Sequence, residues 1–140
     1  MAEKFLLKIL TPYGPYFEGE VDFLEVHSEK YNLGILPHHA RLISTVAVCK
    51  MVIRTNGKNK NYAVGGGVIK VEKEMTTLIL NSIEAEDEID VERARNAKLR
   101  AEKRLEEAIK NEAIDVNRAK LALLRATNRL NVSLKKSIIG

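Results

Sequence analysis

Apolar residues come in short clusters along roughly the first eighty positions and at helical spacing along the rest. Lys4–Leu10 is apolar and strand-like, and Thr11-Pro12-Tyr13-Gly14-Pro15 breaks it, since Pro and Gly are turn punctuation. Val21–Val26 predicts the next short strand. Ser28-Glu29-Lys30-Tyr31-Asn32 is a polar turn, followed by Leu33-Gly34-Ile35-Leu36-Pro37-His38-His39-Ala40. From Leu42 to Leu80 the pattern predicts several more strands. Ile53-Arg54-Thr55-Asn56-Gly57-Lys58 carries the Asn-Gly hairpin signal, and Tyr62-Ala63-Val64 returns from it. Gly65-Gly66-Gly67 leads into Val68–Val71, and Glu72-Lys73-Glu74 turns into Met75–Leu80. Short strands with turn signals about every eight to twelve residues predict an antiparallel sandwich or barrel. Ser82–Glu88 is acidic and polar and marks a boundary. The expected class is α+β, β then α: an N-terminal antiparallel β-sandwich over 1–84, then an antiparallel two-helix hairpin over 85–140.

The helical part is written twice. Ile89-Asp90-Val91-Glu92-Arg93-Ala94 returns as Ile114-Asp115-Val116-Asn117-Arg118-Ala119, and both copies continue to a second Arg-Ala and an Arg-Leu. Two copies make a hairpin, because a solenoid needs about three. Each copy opens on Asp, a good N-cap, followed by strong helix formers. Ala94, Ala97, Ala101, Leu105 and Ala108 share one face, as do Ala119, Ala122, Ala126, Leu130 and Leu134. The connection, roughly Lys110 to Ile114, is short enough to make the helices antiparallel neighbours.

Beside each alanine seam runs an arginine stripe: Arg93, Arg100 and Arg104 on the first helix, Arg118, Arg125 and Arg129 on the second. Antiparallel order sets Arg93 near Arg129 and Arg100 near Arg125. Guanidiniums around one groove repel unless an anion sits among them, and Arg suits bidentate phosphate contacts. A solvated charged face is the plain alternative.

Composition narrows the classes. An apolar content of 45% is ordinary for a globular chain, so disorder is not expected. The net charge of +4 is mild, the basic residues are interleaved with Glu, and there is no Trp; a nucleic-acid module would call for aromatic platforms on its sheet. One cysteine, Cys49, excludes an internal disulfide framework and reads as a buried small apolar residue. No signal peptide or long apolar run stands in the sequence, so a soluble protein is expected.

Candidate chemistry is sparse. His38 and His39 are adjacent, point to opposite sides if extended, and have only His27 as a further imidazole, so no metal site is expected. Ser44 and Cys49 lack the partners of a nucleophile. Gly65–Gly67 precedes a strand and lacks the Lys-Ser/Thr of a phosphate loop; it reads as a sharp turn or a close backbone approach. Glu84–Glu88 lacks a calcium-loop pattern and suits a helix N-terminus.

The chain resembles the epsilon subunit of bacterial F-type ATP synthase. The residues that carry the likeness are Leu33-Gly34-Ile35-Leu36-Pro37-x-His39-Ala40, the paired glycines at 65–67 before a strand, and Glu88-Ile89-Asp90 entering Ala-rich helices. Arg41 stands where that family usually has Pro. The resemblance implies a sandwich of about ten strands that binds the gamma subunit and the c-ring, with Tyr31, Asn32, His38 and Arg41 at or near the ring-facing loop. It implies a mobile hairpin that permits ATP hydrolysis when folded, and inhibits it when extended into the alpha/beta catalytic head against acidic segments of beta. Some members bind ATP on the folded hairpin through I/L-D-x-x-R-A, here Ile89-Asp90-Val91-Glu92-Arg93-Ala94. By that likeness Glu84, Ile89 and Asp90 face base and ribose, while Arg93, Arg100, Arg125 and Arg129 face phosphates. Arg104 and Arg118 are left for solvent or partners, and Asp115 only caps a helix. ATP is then a regulatory ligand, with no catalytic cofactor and no active site in the chain. The expected location is the cytoplasmic face of the bacterial plasma membrane, peripheral to it. A free-standing adaptor whose hairpin binds acidic partners is the alternative from another class.

Overall fold

The structure, a computed structural model, describes residues 3–111 and 115–139, with side chains as far as Ser133. The strands are β1 (Phe5–Thr11), β2 (Gly14–Val21), β3 (Phe23–His27), β4 (Asn32–Ile35), β5 (Leu42–Thr55), β6 (Lys58–Val71), β7 (Thr76–Leu80) and β8 (Ile83–Ala85), and the helices are α1 (Val91–Lys110) and α2 (Val116–Ile139). The chain divides into two compact units, Met1–Ala85 and Glu86–Gly140.

The strands join in the order β2-β1-β7-β6-β5-β3-β4, with β8 on β6. Pairing is antiparallel except between β1 and β7, which run parallel from Leu7↔Thr76 to Leu10↔Ile79. β2 also packs on β5 although the two are not hydrogen-bonded neighbours, so the sheet folds over on itself. The core between the layers is apolar, with Leu7, Ile9, Leu24, Ile35, Met51, Ile69, Leu78 and Leu80 essentially sealed from water.

Three local features explain the path. Asn56 and Gly57 have φ of 53° and 78°, the left-handed pair that a two-residue hairpin needs, and they join β5 to β6. β2 is an edge strand, and this is why Pro15 sits inside it: an edge position loses no ladder hydrogen bond to the missing N–H. Midway along the long β5–β6 pair the inward face inverts: Val46 is buried on β5, then Cys49, Met51 and Ile53; on β6 Tyr62 and Val64 are buried, then Ile69 and Val71. The glycine triplet lies at that inversion. Gly66 has φ of 90°, and a Cβ on Gly67 would lie 2.0 Å from the Ile79 carbonyl oxygen. The close backbone approach expected of these glycines is thus found, inside one continuous strand.

Several expected boundaries differ. Gly14–Val21 forms a strand that Pro15, Gly19 and two Glu disguise, and Ile83–Ala85 pairs with β6 inside the acidic boundary segment. Cys49 is buried as expected. Burial pushes its thiol up, reinforced by the Glu25 carboxylate and only partly offset by a hydrogen bond from the His27 backbone.

Candidate functional site: an arginine-lined groove on the helical hairpin

Both helices start as the repeat predicts. Asp90, extended at φ −82° and ψ 103°, caps α1: its Oδ1 accepts from the Arg93 N–H at 3.0 Å. Asp115 Oδ1 accepts from the Arg118 N–H at 3.2 Å. Each cap satisfies an N–H that the first helical turn leaves orphaned. α1 then buries Ala94, Ala101 and Ala108, one residue every two turns, and α2 buries Ala119, Ala126 and Leu130. Leu134 lies outside the described side chains. Small residues at these positions let α1 and α2 pack closely side by side.

The arginine stripes border this seam, and a groove of about 940 Å³ runs between them. Arg100, Lys103 and Arg104 line it from α1, and Arg118, Arg125 and Arg129 from α2. Glu107 and Asp115 are its only acids among the described residues, so cations exceed carboxylates by four. Ala97, Ala101, Ala119 and Ala122 form its floor between the stripes. The Arg125 Nε is buried and has no hydrogen-bond partner, although its side chain lines the groove. A buried guanidinium N–H without an acceptor is costly, and an oxyanion in the groove would relieve it. The donor set therefore fits a phosphate chain.

The predicted site residues are not all brought into this groove. Arg100, Arg125 and Arg129 line it; Arg93 is exposed and is not among its lining residues. Ala94 is buried in the seam, Ile89 is nearly buried, and Asp90 is exposed at the cap. Glu84 is half-buried on β8, where it pairs with Ala63. Arg104 and Arg118, left for solvent or partners, are exposed and also line the groove. The signal for them was in the stripes: the repeat pairs Arg104 with Arg118 at one end as it pairs Arg93 with Arg129 at the other.

The four residues expected near the ring-facing loop occupy two places. Tyr31 ends the β3–β4 turn and Asn32 opens β4, where its side chain hydrogen-bonds His27. His38 and Arg41 lie beyond the far end of β4, in the 36–41 loop. His38 takes a left-handed φ of 65° and its Nε2 lies 2.7 Å from Glu3. Tyr31, Asn32, His38 and Arg41 are all exposed. Among the described residues, no three His, Cys, Asp or Glu are grouped to hold a metal ion, and no helix is long and apolar enough to cross a membrane.

The fold and groove define a class: a folded-over β-sheet domain followed by a helical hairpin with an arginine-lined face. Residues 4–86 match the family model for the ATP synthase delta/epsilon chain beta-sandwich domain, and residues 87–133 match that for its long alpha-helix domain. The chain belongs to the ATP synthase delta/epsilon chain family. An ATP synthase epsilon chain of Alkaliphilus oremlandii is 41% identical over 105 residues, covering 75% of this chain and 78% of the relative. One of Halalkalibacterium halodurans is 42% identical over 102 residues, covering 73% and 77%. In fold, the chain superposes on one from Euglena gracilis mitochondrial ATP synthase (OSCP/F1/c-ring) with a TM-score of 0.77 at 17% identity, covering 96% of this chain and 81% of the other.

Proposed function

We propose that this chain is the epsilon-type central-stalk subunit of a bacterial F-type ATP synthase, a non-catalytic rotor part whose helical hairpin is held folded by ATP. Membership of the delta/epsilon family supports the first half, as does the name that its bacterial relatives share. Fold neighbours come from assemblies described as F1/c-ring and as central stalk/c-ring. On this reading the sandwich binds gamma and the c-ring, with Tyr31 and Asn32 at one end of β4 and His38 and Arg41 beyond the other offering separate contacts. The subunit sits peripherally on the cytoplasmic face of the membrane, and the extended hairpin meets acidic segments of beta in the catalytic head.

The observation that carries the second half is the buried, unpartnered Arg125 Nε in a groove with four excess cations. Without an anion the arginines repel one another and weaken the folded hairpin. ATP cancels that repulsion with its phosphates: Arg93, Arg100, Arg125 and Arg129 face the chain of phosphates, while Asp90 and Ile89 receive ribose and base. Bound ligand stabilises the folded form by RT ln(1 + [L]/Kd), about 2.7 kcal/mol at a hundredfold excess over Kd. The switch is biased only by the difference in affinity between its two forms.

Titration calorimetry with ATP tests the nucleotide half, comparing wild type with an Arg100→Ala, Arg125→Ala double variant. Saturable heat from wild type and its loss in the variant is the expected result. Equal heats from both, or none from wild type, sinks it. Co-purification with gamma tests the stalk half; a chain that never associates with gamma would instead fit a free-standing adaptor.

A further inference from the structure

The groove does not end where a nucleotide site at the Asp90 end requires it to end. Its lining runs toward the hairpin turn, through Arg104 on α1 and Arg118 on α2, and includes Asp115. The turn end repeats the open end. Asp115 caps α2 through the Arg118 N–H as Asp90 caps α1 through the Arg93 N–H. By the sequence repeat Arg118 corresponds to Arg93 and Arg104 to Arg129, with Arg100 and Arg125 corresponding to each other, and of these six only Arg93 is not a lining residue. Among the described residues no ion pair involves Arg100, Arg104, Arg118 or Arg125. The Asp115 carboxylate is engaged with the Arg118 backbone, and among the described residues Glu107 is the one other acid lining the groove. Six cations facing two acids, around a guanidinium N–H lacking an acceptor, form an oxyanion site.

We infer that the turn end of the groove is a second anion subsite, built by Arg104, Arg118 and Arg125, that takes a phosphoryl oxyanion. Two sources share this chemistry: a free inorganic phosphoryl anion, and the terminal phosphates of a bound nucleotide. An oxyanion here bridges α1 to α2 beside the turn and so holds the two helices together where the seam ends. Lysine at both positions would keep the charge but lose the planar fork, and should bind with intermediate strength.

The test is calorimetric titration of the full chain with inorganic pyrophosphate at fixed ionic strength. Wild type should bind saturably. An Arg104→Ala, Arg118→Ala double variant should bind at least tenfold more weakly, with Arg104→Lys, Arg118→Lys between the two, and Arg95→Ala, an exposed α1 position outside the groove lining, within about twofold of wild type. Both arginines are exposed on helices and Ala is a good helix former, so the variants should keep their helical circular dichroism. No saturable pyrophosphate binding by wild type, or equal binding by the alanine double variant, overturns the subsite. ATP titrated into the same variant separates the sources. An ATP affinity that falls by the same factor identifies the nucleotide's own phosphates, and an unchanged one identifies the free anion; each requires the pyrophosphate result to hold. A wild type that binds pyrophosphate but gives no heat with ATP keeps the subsite and removes the nucleotide reading instead.

Discussion

Asp90 and Arg93 are joined through the backbone: the Asp90 carboxylate accepts from the Arg93 N–H at 3.0 Å and starts α1. The contact uses one oxygen of a carboxylate that is otherwise exposed. Structural and ligand roles of Asp90 can therefore be separated. Asp90→Ala should cost about 1 kcal/mol of hairpin stability, the usual worth of an N-cap. Asp90→Asn should retain most of it, because Asn caps about as well as Asp. If the Asp90 charge serves ribose or base, Asp90→Asn should weaken ATP binding with little change in thermal melting of the helical signal. Parallel loss of both would reduce Asp90 to a cap.

Gly67 gives the sharpest prediction on stability. Its φ is 156°, and a Cβ there would meet the Ile79 carbonyl oxygen at 2.0 Å and the Leu80 Cα at 2.9 Å, both backbone atoms of the neighbouring strand. Nothing can rotate away. Gly67→Ala should cost about 3 kcal/mol, from strained backbone and overpacking together. Gly57 has a left-handed φ of 78° but open space around its Cβ, so Gly57→Ala should cost only about 1–2 kcal/mol. Denaturant midpoints of the two variants check the order; a smaller loss at Gly67 would contradict the close approach.

What could be read in advance followed from local chemistry. Asn56-Gly57, the two Asp caps and the alanine spacing each act within a few residues, and each lies where the sequence predicts. The parallel β1–β7 pair has no such local mark, because Leu7 and Thr76 meet only once the sheet closes. β2 was obscured by residues that an edge tolerates, Pro15 and Gly19 among them. The arginines were half legible. A helical wheel assigns Arg104 and Arg118 to the right stripes, but not the depth at which two helices settle against each other, and that decides which end of the stripe lines a groove.

Cys49 should give the fold an alkaline limit. Burial holds its thiol above the ordinary value of about 8.5, so the folded chain keeps a proton that the unfolded chain gives up. Stability from this group is complete below the unfolded pKa and is lost as pH rises through the folded one. Between pH 8 and pH 10 the denaturant midpoint should fall, and the fall should shrink in Cys49→Ala. Alkylation of the native thiol should also be slow, since the thiolate is the reactive form. An identical alkaline fall in Cys49→Ala would show that other groups cause it.

The two units should differ in local stability, and the difference bears on the proposed switch. The sandwich core is built from Leu, Ile, Val and Met, whereas α1 fully buries only Ala94, Ala101 and Ala108. Each alanine offers one methyl group, about 0.8 kcal/mol at most, against about 1.5–3 kcal/mol for a buried Leu or Ile. Opening free energies track buried apolar contact, so amides of α1 and of α2 up to Leu130 should exchange well before those of β5 and β6. On the proposed reading the arginine groove should lower helix stability further while no anion offsets its charge. Saturating ATP should then slow exchange across residues 91–130 while leaving β5 and β6 nearly unchanged, and pyrophosphate should slow it most at the Arg104 and Arg118 end. Hydrogen exchange read by mass spectrometry resolves both patterns. Exchange in the helices that is as slow as in β5, or that ignores both anions, would mean that the hairpin is neither labile nor held by what its groove binds.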